Sequence, residues 1–229
     1  MKERCFIRCS RPRPDKGPPD LDRLVHPDAD PYRPGMLIYG DSISGNCLKV
    51  KWAADRLGLS YTWHEVDILQ GESRTPEYLA MNPAGQVPAV QFEDGRTLAQ
   101  SNAIILHLAE GSDLIPADPF DRAKMFEWLF WEQYSHEPAI AVARFQLRYL
   151  GRQLSELDPK LIDKGHSALA VMEHALSQRP YFVGRQLSCA DIALVAYTRV
   201  AHEGGFDLTA YPSVAAWVGR VERDLAISN

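Results

Sequence analysis

Two hydroxyls and an amide, those of Ser42, Ser44 and Asn46, share one short polar loop ahead of a helical stretch that starts at Cys47. Hydroxyl and amide groups donate hydrogen bonds, and a helix N-terminus adds a positive dipole end, so the loop suits an anion. A thiolate is one such anion, and it is the reactive form of a thiol. Gln100 and Ser101 stand at a similar junction, where a strand ends and a helix begins. Free N–H groups there favour a carboxylate, and Ser101 also suits a plain helix cap. Arg74 offers a guanidinium shaped for a carboxylate, or it is a solvated loop charge. Cys47 is a thiol in the same neighbourhood, either reactive or turned into the core.

Positioning these groups requires alternating strands and helices. Met36–Tyr39 is a short apolar run ended by Gly40, consistent with a buried strand. Cys47–Leu57 carries apolar residues at helical spacing and stops at Gly58. Tyr61–Val66 reads as a second strand and Thr75–Ala80 as a short helix. Val87–Phe92 and Arg96–Ala99 read as two strands joined by the Asp94-Gly95 turn. Gln100–Ala109 is a further helix. The order predicts an α/β thioredoxin-like N-terminal domain over residues 36–110. A linker rich in Gly, Pro and Asp spans 111–119, and an all-α C-terminal domain follows at 120–229. Its helices are expected at Asp121–Leu150, Asp158–Ser177, Ser188–Ala201 and Pro212–Ala226, the first interrupted near His136-Glu137-Pro138. Aromatic residues of the first, Phe126, Trp128, Phe130 and Trp131, suit a core.

Residues 1–35 differ from the rest. Seven prolines, interleaved with Arg and Asp, deny this stretch a continuous helix or sheet. It reads as a loosely ordered extension or a strap over the body, unless the natural start is Met36. Charged residues make up 24% of the chain and the net charge is -5, which argues against a nucleic-acid partner. No apolar run nears the roughly 20 residues that a membrane helix needs. The N-terminus lacks the apolar stretch of a secretory signal. Four sparse cysteines, Cys5, Cys9, Cys47 and Cys189, fit a reducing cytoplasm, and no metal-type spacing occurs in the folded part.

Three segments together resemble the soluble glutathione transferases. They are Asn82-Pro-Ala-Gly-Gln86-Val87-Pro88, Leu98-Ala-Gln100-Ser101-Asn-Ala-Ile104 and Gly184-Arg-Gln-Leu-Ser188-Cys-Ala-Asp191-Ile192. The resemblance covers the chain after residue 35. It implies a cis bond before Pro88 and a Val87 backbone that pairs with the cysteinyl unit of glutathione. It places the γ-glutamyl carboxylate at Gln100 and Ser101, though the family usually has Glu or Asp where this chain has Gln100. Gln86 and Arg74 are implied near the glycyl end. Ser188 and Asp191 form a capping box, with Leu187 and Ile192 as its staple, a folding role.

The family keeps its catalytic residue in the loop after the first strand. Serine/theta-like members align their serine with Ser44, and some bacterial members pair a Thr with an Asn two residues on, a spacing that Ser44 and Asn46 reproduce. Ser42 is the competitor; Tyr39 lies too early and suits packing. The resemblance therefore implies an enzyme, a glutathione S-transferase that conjugates the thiolate to small apolar electrophiles, as in detoxification. It implies glutathione as co-substrate, no metal, a cytoplasmic homodimer, and no nucleic-acid or membrane partner. The electrophile is expected between the domains, with Tyr134, His136, Arg144, Phe145 and Tyr149 as candidate lining. The alternatives are a glutathione-dependent disulfide reductase or peroxidase, and a non-catalytic interaction module.

Overall fold

The computed structural model describes residues 36–227, so the extension read at 1–35, with Cys5 and Cys9, lies outside the described residues. Strand β1 (Met36–Gly40) alternates buried and half-buried residues, as a strand with one face in the core must. It lies at the centre of a four-stranded sheet. Parallel β2 (Tyr61–Glu65) is on one side and antiparallel β3 (Ala89–Gln91) on the other, with β4 (Thr97–Ala99) outermost. The parallel β1–β2 pair needs a crossover, which helix α1 (Gly45–Arg56) supplies. Helix α2 (Pro76–Met81) has Pro76 in its first turn and Thr75 as N-cap, whose hydroxyl accepts from the Tyr78 N–H. Helix α3 (Ser101–Leu108) follows β4 directly.

β3 begins two residues later than the sequence predicts. Val87 and Pro88 stay outside the ladder, and the Val87–Pro88 bond is cis, as expected. Pro88 has no N–H to give the sheet.

After α3 the described chain is helical. Helix α4 (Pro119–Trp131) starts two residues earlier than predicted, because the Asp118 carboxylate caps the Phe120 and Asp121 N–H groups and Pro119 opens the first turn. The α-helix is interrupted near His136-Glu137-Pro138, as expected. A π-helical turn over Glu132–His136 joins α4 to α5 (Glu137–Arg148). Pro138 follows that turn at the start of α5, where it has no N–H to bond back to the preceding carbonyls. Helices α6 (Pro159–Leu176), α7 (Cys189–Thr198) and α8 (Pro212–Asp224) complete the domain. The fold is a thioredoxin-like domain followed by an all-helical one.

Helix α7 is buried along its whole length, which fits a core helix with no solvent face. The predicted capping box is present. The Asp191 carboxylate accepts from the Ser188 N–H and hydroxyl, the Phe182 N–H and the Trp217 indole N–H. Leu187 and Ile192 are both buried beside it. Burial pushes the Asp191 carboxyl upward, and those four donors act against the shift.

Candidate functional site

The loop between β1 and α1 is fixed from several sides. Asp41 accepts from the Ile43 N–H at 2.9 Å and from the Tyr149 hydroxyl at 2.8 Å. Arg144 donates to the Ile43 carbonyl at 3.0 Å while its Nε pairs with Glu203. The Ser42 N–H donates to Glu65. Arg144 and Tyr149, expected at the electrophile, thus also anchor this loop from the helical domain.

Ser44 takes the N-cap position of α1 with an extended backbone, yet its side chain makes no capping hydrogen bond. An N-cap serine usually gives its oxygen to the first turn. Here the hydroxyl is left for other partners, and it faces Cys47 and the Tyr197 hydroxyl. Gly45 lies under the Tyr197 ring, where an added Cβ would come within 2.7 Å of a ring carbon. The Asn46 N–H donates to the Tyr197 hydroxyl at 3.3 Å.

A cavity of about 490 Å³ opens at this point. It is lined by Ser44, Asn46, Arg74, Gln86, Val87, Pro88, Gln100 and Ser101, the eight residues that the sequence analysis expects at glutathione and its sulfur. Ser42, the reserve candidate, is exposed and does not line it. The Asn82 amide and the Tyr78 hydroxyl both donate to the Gln86 carbonyl, at 2.7 and 2.8 Å. That fixes the turn that presents Val87. Arg74 folds across the turn, donating to the Ala84 carbonyl at 3.1 Å and packing over Gly85, whose φ is +61°. It remains exposed while it makes that contact.

Gln100 precedes α3 with φ 70°, a conformation that costs a non-glycine residue about 1–3 kcal/mol. Ser101, Asn102 and Ala103 follow, and the first N–H groups of a helix have no intrahelical partner. The cavity therefore has the N-terminus of α3 on its wall, a guanidinium at Arg74, and Ser44 at the N-terminus of α1.

The sequence reading missed Gln133 and Glu137, which also line the cavity. The Ser101 hydroxyl donates to Asn46 Oδ1 at 3.0 Å, and Asn46 Nδ2 donates to Glu137 Oε1 at 3.0 Å. Gln133 Nε2 bonds both Glu137, at 2.6 Å, and Glu132, at 2.8 Å. The Asn46 amide nitrogen carries a second hydrogen that this pattern leaves for the cavity.

The chain of bonds ends in a buried ion pair. Lys49 and Glu132 meet at 2.8 Å, each side chain 0% exposed. Burial acts to raise the Glu132 carboxyl, but the Lys49 charge and hydrogen bond outweigh it and hold the group below its usual range. A lysine among the buried residues of α1 is the signal that could have disclosed the pair.

Cys47 is fully buried and accepts from the Asp41 N–H at 3.3 Å. Burial pushes its thiol up to about 12, so it stays protonated at neutral pH. Of the other electrophile candidates, Phe145 lines the main cavity. Phe145, Arg144 and Tyr149 line a small annex beside Ser44. Tyr134 lines a different cavity, with Trp131 and Leu161. His136 is fully buried against Thr198 at 2.9 Å. Tyr39 packs on His64 and Tyr78, as expected of a packing residue.

Residues 43–110 match the family model for the glutathione S-transferase N-terminal domain, and residues 132–224 match that for the C-terminal domain. The chain belongs to the glutathione S-transferase family. Glutathione S-transferase 3 of Zea mays is 31% identical over 80% of this chain and 86% of that protein. The crystal structure of a glutathione S-transferase from Pseudomonas fluorescens is 50% identical with a TM-score of 0.79, covering 82% of this chain and 94% of the other. Ure2p in complex with S-hexylglutathione is 25% identical with a TM-score of 0.77, covering 84% and 97%. The junction between the two domains is polar as well as apolar, since Lys49 of α1 and Asn102 of α3 both bond Glu132 there.

His136 makes that junction acid-sensitive. Thr198 donates its own proton to the Leu194 carbonyl, so His136 Nε2 must be the donor toward Thr198. Nδ1 is then an unprotonated nitrogen, buried without a hydrogen-bond partner. Burial pushes the imidazole down to about 4; Glu132 pulls it up and Lys49 pushes it down by smaller amounts. The folded value lies below the unfolded value of about 6.5, so the unfolded state binds the proton first as pH falls. Stability is expected to fall by about 3 kcal/mol between pH ~6.5 and pH ~4 from this group. Thermal unfolding against pH for the wild type and for His136→Gln checks it, because the variant should have a flatter curve in that window.

Proposed function

We propose that the protein is a glutathione S-transferase in activity as well as in family, joining the glutathione thiolate to small apolar electrophiles. Ser44 donates its hydroxyl to the sulfur, Asn46 adds its second amide hydrogen, and the N-terminus of α1 contributes its dipole. A free thiol titrates near ~8.5, so these three effects are needed to raise the thiolate fraction at neutral pH. Val87 pairs its backbone with the cysteinyl unit beside Gln86 and Pro88. Gln100 and Ser101 take the γ-glutamyl carboxylate at the start of α3, and Arg74 takes the glycyl carboxylate. The observation that carries this reading is Ser44, whose hydroxyl is not used as a helix cap and which lines the same cavity as all these groups.

The subtype we assign is serine/theta-like with a Ser-x-Asn variant of the Thr-Asn pattern. We further propose glutathione binding on residues 36–110, a linker at 111–119 and the electrophile against residues 120–229. A cytoplasmic homodimer active in detoxification completes the reading. Phe145 and Ile68 supply apolar surface beside Ser44 for the electrophile.

The competing reductase reading needs a reactive thiol on the protein, and Cys47 is the candidate. Cys47→Ser is expected to keep conjugation of chlorodinitrobenzene within about twofold, since a buried thiol held protonated cannot act as the nucleophile. A near-total loss in a folded Cys47→Ser protein, with disulfide reduction by the wild type, would overturn the proposal. Retention of the wild type on immobilised glutathione is expected as well. Retention without turnover would favour the non-catalytic module.

A further inference from the structure

Glutathione carries two carboxylates and one ammonium. Among the described residues that line the cavity, Arg74 is the one cation and Glu137 the one carboxylate. The α3 N-terminus and Arg74 match the two carboxylates. The ammonium has no match at Gln100, which is a neutral amide. A charged group taken from water needs an opposite charge or a full set of hydrogen bonds.

Glu137 reaches the γ-glutamyl end by a different route. It comes from α5 of the helical domain. Its carboxylate is held at the cavity wall by Asn46 and Gln133, at 3.0 and 2.6 Å. Asn46 in turn holds the Ser101 hydroxyl at the start of α3, so Glu137 is two hydrogen bonds from the carboxylate-binding end. A carboxylate has about four lone-pair positions, and two are used here.

We propose that Glu137 is the counter-ion for the γ-glutamyl ammonium, a charge delivered across the domain junction where the adjoining loop supplies only an amide. The assignment rests on the glutathione reading above. It makes Glu137 a specificity residue for the free amine, and it makes substrate binding a contact with both domains at once.

Calorimetric binding to the full chain tests it, with glutathione and with the analogue that lacks the γ-glutamyl amine. Wild type should bind glutathione about tenfold more tightly than the deamino analogue. Glu137→Gln keeps the size and an acceptor oxygen but removes the charge. It should lose about tenfold for glutathione and nothing for the analogue. Adding Gln100→Glu to that variant should restore the preference. Equal loss for both ligands would mean that Glu137 only braces Asn46, and an unchanged preference would mean that it is not the counter-ion. Either result overturns the inference while leaving glutathione binding intact. Failure of the wild type to bind glutathione would overturn the underlying reading instead.

Discussion

Ser44→Ala is expected to lower kcat/KM for glutathione conjugation by about 10–100-fold, with little change in the affinity for glutathione itself. A hydrogen bond to a charged group contributes about 1.5–3 kcal/mol, and the sulfur is charged only in the reactive form. The hydroxyl is not tied up as a helix cap, so its removal does not unmake α1. The binding groups at Gln86, Val87, Gln100 and Ser101 are untouched by the change. The same free energy is a shift in the bound thiol: without the hydroxyl its pKa should rise by about 1–2 units toward the free value. Thiolate absorbance of the bound tripeptide, followed against pH in both proteins, reads that shift directly. Some activation should survive, because the α1 N-terminus and the second Asn46 hydrogen remain. Equal activity and equal thiol titration in the two proteins would remove Ser44 from the mechanism.

The second large effect is on stability. Lys49→Met, or Glu132→Gln, should destabilise the fold by about 3–5 kcal/mol. Both side chains are 0% exposed, so each charge depends on the other for its solvation. Asn102 and Gln133 also donate to Glu132, at 3.0 and 2.8 Å. Removing Lys49 leaves a buried carboxylate with only neutral donors. Removing Glu132's charge strands an ammonium over the Tyr197 ring, 5.9 Å from its centroid. For a chain of this size that corresponds to a fall in Tm of roughly 10 °C. The double variant Lys49→Met with Glu132→Leu should cost less than either single one, because no charge is then stranded. Single variants that melt with the wild type would show that the pair is not buried in solution.

The cavity and the buried ion pair are linked through one polar chain. It runs from Ser101 to Asn46, Glu137, Gln133, Glu132 and Lys49. Three of these residues belong to α1 or α3 and three to the helical domain. The cavity wall and the domain junction are therefore built from the same hydrogen bonds. A substitution deep in the junction, at Lys49 or Glu132, therefore reaches the cavity through Gln133, Glu137 and Asn46.

What could be read from the residues alone follows from sequence distance. The turn at Asn82–Pro88, the start of α3 and the Ser188–Asp191 box are each local patterns of four to seven residues. Their chemistry is set by neighbours in the chain, so all three appear where expected. Gln100-Ser101 and Ser44-Gly45-Asn46 were legible for the same reason. Glu137 was not, because its partner Asn46 is 91 residues away. Tyr197 lies 151 residues from the N–H it accepts, and it gave no local signal at all.

The π-helical turn has two consequences. The interruption expected near His136-Glu137-Pro138 takes the form of that turn, with Pro138 early in α5. Tyr134, His136 and Phe145, all candidates for lining the electrophile, fall within one helix expected from the sequence. The turn sends them to three different surroundings: a separate cavity, the core and the main cavity. Helical spacing alone does not distinguish those faces once a residue is inserted into the turn.

The most direct measurement is a crystal structure of the full chain with glutathione. The account predicts the tripeptide in the cavity between Arg74 and the start of α3, with its cysteinyl backbone paired to Val87 and its sulfur about 3 Å from the Ser44 hydroxyl. A sulfur directed at Ser42 or bonded to Cys47, or a tripeptide bound elsewhere, would contradict it.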